Sequence, residues 1–150
     1  MFRKSVFVGA AVLCACGGSS PLDTAFAGQW AGVGSTVVTG GGTFTSNSSV
    51  VVAVDGNSAS VASVCLLASG AASFSGTGAT ASLFSNVVCP PISLTLPEES
   101  ALCGSIVLTY IHGTATLTAG NPATLTVVVT GQAVGCGNTY PVTNTFIGFQ

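Results

Sequence analysis

The chain has 150 residues, and only 4% of them are charged: two Lys or Arg, four Asp or Glu, with one His and a formal net charge of −2. Both cations, Arg3 and Lys4, precede residue 5, and nothing after them is basic except His112. A body without Lys or Arg cannot neutralise nucleic acid phosphates. Nor can it form a Lys Schiff base, clamp a carboxylate with Arg, build a P-loop or seek anionic lipid headgroups.

Arg3 and Lys4 lead into an apolar stretch, Val6 to Leu13, interrupted only by Gly9. This suits a signal h-region and falls far short of the roughly 20 residues that span a bilayer. The stretch closes on Leu13-Cys14-Ala15-Cys16, which resembles the lipobox of bacterial lipoproteins. The resemblance covers only the start of the chain, and Cys14 departs from the commoner Ser, Ala or Thr. It implies a signal peptide over residues 1–15 that is removed. It also implies a Cys16 that carries a diacylglyceryl thioether and an amide-linked acyl chain such as palmitate. Two or more chains hold a protein stably to a membrane, at about 0.8 kcal/mol per buried methylene. The competing expectation is an unlipidated secretory signal cleaved nearby. Residues 16–25 form the lipidated tether, with Gly17-Gly18-Ser19-Ser20-Pro21 flexible by composition. Gly17, where an Asp would signal retention, resembles the outer-membrane sorting pattern of Gram-negative lipoproteins. The expected location is therefore the cell envelope, with the protein anchored in the outer membrane.

Residues 26–150 read as one all-β domain. β-Branched and turn residues alternate, and helical periodicity is nearly absent. The predicted strands run from Gln29 to Thr39, Thr43 to Val54, Ser58 to Leu67, Ala71 to Ser75, Ala79 to Val88, Ser105 to Thr118, Ala123 to Val134 and Pro141 to Phe149. Gly40-Gly41-Gly42, Asp55-Gly56-Asn57, Gly76-Thr77-Gly78 and Gly120-Asn121-Pro122 mark turns. Pro90-Pro91 breaks the pattern. Pro97-Glu98-Glu99 reads as a first helical turn, which predicts one short helix over Pro97 to Leu102. Eight short strands suggest an antiparallel meander barrel, with a β-sandwich as the alternative. Closure is favoured because the strands lack the Lys that commonly guards an exposed edge.

Cys65, Cys89, Cys103 and Cys136 remain once the signal is removed and Cys16 is acylated. An exported chain with four such residues implies two disulfides. Cys65 and Cys89 are symmetric about Thr77, and Cys103 and Cys136 nearly so about Gly120. That favours Cys65–Cys89 with Cys103–Cys136. No CxxC spacing points to a metal.

His112 has no nucleophile or orienting acid at a recognisable spacing, and no Gly-x-Ser-x-Gly elbow exists. It is expected on one strand face with Ile106, Leu108 and Tyr110. Glu98 and Glu99 are adjacent, so they diverge rather than face one bond. Asp55 reads as a hairpin residue. Gly28-Gln29-Trp30 resembles the opening of the lipocalin/calycin family, where the tryptophan plugs one end of an eight-stranded barrel. The family's late arginine and C-terminal helix have no counterpart here. The resemblance implies a small apolar ligand in the lumen, for which Trp30, Tyr110 and His112 are the candidate binding residues. Most lumen choices are small, so either a flattened barrel or a cavity follows. The expectation is a lipid-anchored, non-catalytic envelope protein with a structural or binding role. It needs no cofactor and no metal, binds no nucleic acid and meets the membrane through its anchor. The alternative is a lipocalin-like carrier.

Overall fold

The computed structural model describes residues 20–65, 70–95 and 102–150, the side chains at 94, 95 and 102–104 excepted. Ten strands follow one another: β1 (Gly28–Val38), β2 (Gly42–Asp55), β3 (Ser58–Ala62), β4 (Ala71–Thr77), β5 (Thr80–Leu83), β6 (Val87–Val88), β7 (Ile92–Thr95), β8 (Leu102–Thr118), β9 (Thr124–Gly135) and β10 (Asn138–Phe149). Strands β1 to β5, then β8, β9 and β10, each pair antiparallel with the next, and β10 returns to β1. The β5–β8 pairing closes the path, so eight strands form a ring in chain order. The expected all-β antiparallel meander is present. β6 and β7 lie against β8 outside the ring path.

Period-two burial explains the ring. Along β1, Trp30, Gly34, Thr36 and Val38 are buried, while Ala31, Val33 and Val37 are exposed. The outer face replaces charge with hydroxyls. One register row, Asp55, Ser58, Ser75, Ser82 and Thr114, crosses five adjacent strands, and every member is exposed.

The tight turns follow local chemistry. Asp55 pairs with Ser58, leaving the loop Gly56-Asn57 with its positive φ of 57° on Gly56. Glycine at the first central position suits a type II′ hairpin. Cys136 and Gly137 connect β9 to β10 with φ of 51° and 81°, the two positive values that a type I′ turn requires. Pro141 is tolerated inside β10 because its carbonyl faces the β1 side, where it accepts from the Thr39 N–H at 2.9 Å. Its missing N–H points the same way, just past Val38↔Val142, where the β1–β10 ladder ends.

Several expectations change. The fifth predicted strand is two, β5 and β6, with Phe84, Ser85 and Asn86 between them. The stretch after Pro90-Pro91 forms β7, which pairs with the beginning of β8 across a register shift. Of the predicted helix, residues 97–101 lie outside the described residues, and Leu102 opens a strand. Among the described residues the only helical turn is the 3-10 turn Thr24–Phe26, capped by Asp23, whose carboxylate accepts from the Ala25 N–H at 2.9 Å.

The expected face of His112 is also corrected. Tyr110 pairs with Gly131 and His112 with Thr130, so Ile111 is an extra residue in a β-bulge. A bulge reverses the parity of everything beyond it. Ile106, Leu108 and Tyr110 therefore point inward together with Ala115 and Leu117, while His112 is exposed. The bulge needs close backbone approach, since a Cβ on Gly131 would collide with the Thr109 carbonyl oxygen.

Candidate functional site

The N-terminal segment closes one end of the ring. Leu22 N donates to Gly56 O at 3.0 Å, Asp23 N to Gly78 O at 2.8 Å, and Gly78 N to Pro21 O at 3.0 Å. Residues 21–23 thus lie across the β2–β3 and β4–β5 turns. Leu22 and Phe26 are buried beneath them. Trp30 is fully buried, and its indole N–H donates to the Phe26 carbonyl at 2.9 Å. Gly148 leaves the space this requires: a Cβ there would stand 2.5 Å from the Phe146 ring and 3.1 Å from the Trp30 Cβ. Trp30 is therefore the plug of the closed end.

Farther along the interior lies a small polar cluster. Thr36 on β1 faces Asn144 on β10 as a direct pair, and both stand beside the Tyr110 hydroxyl on β8. Burial pushes the Tyr110 phenol from 10.0 up to about 12, and the Asn144 and Thr36 side chains draw it back only partly. Neither neighbour completes a well-formed hydrogen bond to the phenol. The Tyr110 hydroxyl and Thr36 Oγ1 both remain buried without a partner. Asn144 spends its amide elsewhere, donating to the Val64 carbonyl at 2.8 Å. Asn144 also lines a cavity of about 50 Å³, together with Ser46, Ser48, Ser63, Val129 and Phe146.

An orphaned buried hydroxyl costs more than it contributes, so Tyr110→Phe is expected to leave stability unchanged or to raise it by about 1–2 kcal/mol. The pH dependence has a definite sign. The folded phenol holds its proton more tightly than the unfolded one. Its contribution is fully present below pH 10.0 and is lost as pH rises toward about 12. The loss amounts to about 2–3 kcal/mol. Urea unfolding of wild type and Tyr110→Phe at pH 9 and pH 11, followed by far-UV circular dichroism, checks both statements. A variant whose alkaline decline matches wild type would refute the assignment to this phenol.

The three residues expected to bind a ligand are not brought together. Trp30 plugs the closed end. Thr36, beside Tyr110, lies six residues farther along β1, roughly 20 Å along the strand. His112 points to solvent. The polar members that the sequence reading missed, Thr36 and Asn144, had a usable signal. Thr36 shares the parity of Trp30 along β1, and Asn144 follows from the register of the last strand on the first.

Cys65 and Cys89 are joined by a disulfide, with Cα atoms 5.7 Å apart. It ties the loop after β3 to the segment after β6. Cys136 is disulfide-bonded; the side chain of Cys103, its expected partner, lies outside the described residues, as do Cys16, Glu98 and Glu99. Among the described residues no three His, Cys, Asp or Glu side chains gather as metal ligands do. Outside the ring, an open groove of about 390 Å³ is bordered by Asp55, Ser58, Ser60, Ser73 and Phe84. Phe84 is 75% exposed and is held by its backbone N–H to Ser73 O at 2.8 Å. The groove offers hydroxyls and one carboxylate, that of Asp55, whose direct register partner is Ser58. Comparison with known proteins found no matching family model, no matching curated protein and no matching solved structure.

Proposed function

We propose that the chain is an envelope lipoprotein, anchored through acylated Cys16, whose domain is a small meander barrel with a non-catalytic structural or binding role. The observation that carries this reading is the filled interior. Trp30, Phe26, Phe74, Tyr110, Leu108 and Leu125 occupy the ring and are essentially inaccessible. The interior cavity lined by Ser46, Ser48 and Asn144, about 50 Å³, is small beside the roughly 300–1,000 Å³ of a typical ligand site. The path of the chain supports the anchor. Residues 21–23 are bonded to the turns of the plugged end, so a tether from Cys16 reaches the domain there. An outer-membrane location rests on Gly17 in the position after the lipidated cysteine.

The alternative is a lipocalin-like carrier, and the feature that favours it is Trp30 buried at the closed end of an eight-stranded ring. Native mass spectrometry separates the two. A bare polypeptide mass beyond the anchor is expected, and a copurifying apolar molecule would favour the carrier.

The anchor is tested by Cys16→Ser with cell fractionation and labelled palmitate. The protein is expected to leave the membrane fraction and to lose its label. Washing wild type with high salt is expected to release none of it, because a body without cations has no electrostatic hold on lipid to be screened. A Cys16→Ser protein that stays in the membrane would sink the proposal.

A further inference from the structure

The ring is uneven in height. β2 pairs with β1 along its whole length from Gly42 to Val52. It pairs with β3 only from Val52 to Asp55. Among the described residues, Gly42–Val51 therefore has a strand on one side only. The β2–β3 hairpin shows which backbone groups this leaves. A two-residue turn makes Asp55 and Ser58 a hydrogen-bonded pair. Successive residues of an antiparallel strand direct their N–H and C=O to opposite neighbours. Thr43, Thr45, Asn47, Ser49 and Val51 share the parity of Asp55, so their N–H and C=O groups face away from β1, along the open edge.

We propose that this edge pairs with the same edge of a second copy, forming a two-fold dimer whose sheet continues from one ring into the other. Open edges carry templates for pairing, and proteins blunt them with Lys, Pro, bulges or inward charges. Gly42–Val51 has none of these: it contains no charge and no Pro, and its register on β1 is unbroken.

The strand is also complementary to itself. A two-fold axis at Asn47 sets residues whose numbers sum to 94 opposite one another, which keeps the required parity. Asn47 then meets Asn47 of the second copy, Thr45 meets its Ser49, and Thr43 meets its Val51. On the inward side Phe44 meets Val50 of the second copy, and Ser46 meets its Ser48. Hydroxyl–hydroxyl and aromatic–β-branched pairs are favourable cross-strand partners. No like charges meet. The nearest described charge on β2, Asp55, lies eight residues from the axis, roughly 27 Å, beyond the roughly 8–10 Å screening length.

The second copy also covers what the short β3 leaves open. Phe44, Ser46 and Ser48 are only half-buried, although they point inward, and Ser46 and Ser48 line the interior cavity. A strand laid beside them closes that opening. Antiparallel pairing puts the two plugged ends on opposite sides of the dimer. On the reading of Cys16 as the anchor, both tethers reach one membrane when the two-fold axis stands along the membrane normal. Residues 16–21 span up to roughly 20 Å when extended. The pairing itself does not depend on the anchor.

Disulfide trapping in intact membranes tests the edge. The axis places the two Asn47 Cα atoms about 5.5 Å apart, inside the range for a disulfide. Asn47→Cys is expected to give mostly a dimer on non-reducing gels. Thr43→Cys alone and Val51→Cys alone are expected to give none, since each lies roughly 27 Å from its own copy. The double variant Thr43→Cys/Val51→Cys is expected to restore the dimer. Purified wild type should sediment at twice its single-chain mass. Asn47→Pro, which removes an edge N–H, or Thr45→Lys should return it to one chain with an unchanged far-UV spectrum. Asn47→Cys dimers no more abundant than those of Thr43→Cys would overturn the proposal. So would a wild type that is monomeric at all concentrations, or a disulfide to a different protein, which would assign the edge to another occupant.

Discussion

Trp30→Ala is expected to destabilise the domain by about 3–5 kcal/mol. A buried tryptophan removes about 150–250 Å² from water, and at about 25 cal/mol per Å² this is roughly 4–6 kcal/mol before relaxation. Two features of the site limit that relaxation. The Phe146 ring already lies over Gly148, against the Trp30 Cβ that alanine keeps. The Phe26 carbonyl would lose its indole donor at 2.9 Å while remaining buried, and an unpaired buried acceptor costs about 1–3 kcal/mol. Trp30→Phe separates the two contributions. It keeps most of the apolar contact and loses the hydrogen bond, so a cost of about 1–2 kcal/mol is expected. Since Trp30 is the only tryptophan, unfolding must be followed by far-UV circular dichroism in denaturant. A loss below about 1 kcal/mol for Trp30→Ala would mean that the closed end does not depend on its plug. A loss near the upper figure would remove a large part of the roughly 5–15 kcal/mol that holds a typical domain together.

The ring was legible because its cause is local. Alternating β-branched residues separated by Gly-containing turns give strands of the right length, and sequential hairpins give the meander. What escaped was set by contacts distant in sequence. β7 forms after Pro90-Pro91 because the first residues of the long β8 offer it a partner; Ile92-Ser93-Leu94-Thr95 alternates as a strand does, but so short a run between Pro91 and Pro97 does not stand out. On β8 the reversal at Ile111 is marked only by a change of phase, from Ile106, Leu108 and Tyr110 to Ala115 and Leu117. Its other sign is Gly131 on the facing strand, where the backbones approach too closely for a side chain. The polar cluster of Thr36, Tyr110 and Asn144 draws on three strands, so it needed register as well as parity. The Cys65–Cys89 disulfide is present, but hairpin symmetry about Thr77 is not what joins it. The β4–β5 hairpin turns at Gly78-Ala79, not about Thr77, and its arms end before either cysteine. The two sulfurs meet because the loop after β3 folds back over the ring, not because they face each other across a hairpin.

That position makes the disulfide the second large term. Replacing Cys65 and Cys89 together by Ala is expected to cost about 3–4 kcal/mol, from the chain entropy of a loop closed over a separation of 24 residues. The distribution of the damage is the sharper expectation. β3 and β5 are the shortest strands of the ring, five and four residues, so hydrogen bonding between neighbours is thinnest on their side. At the end away from Trp30 the covalent link stands in for ladder bonds that those strands are too short to make. It holds Ser63 to Cys65 against the ring, where the Val64 carbonyl accepts from Asn144 at 2.8 Å and the Val64 N–H donates to Gly70 at 3.1 Å. Without the link, amide exchange at Val64 should accelerate well before global unfolding, while Trp30 at the opposite end keeps its buried emission. Exchange measured residue by residue, alongside tryptophan fluorescence in sub-denaturing urea, reads both. Uniform acceleration across the ring, or a red-shifted Trp30 under conditions where the ladder persists, would mean that the two ends are one cooperative unit. In that case the disulfide would act on the unfolded chain alone and not on this loop.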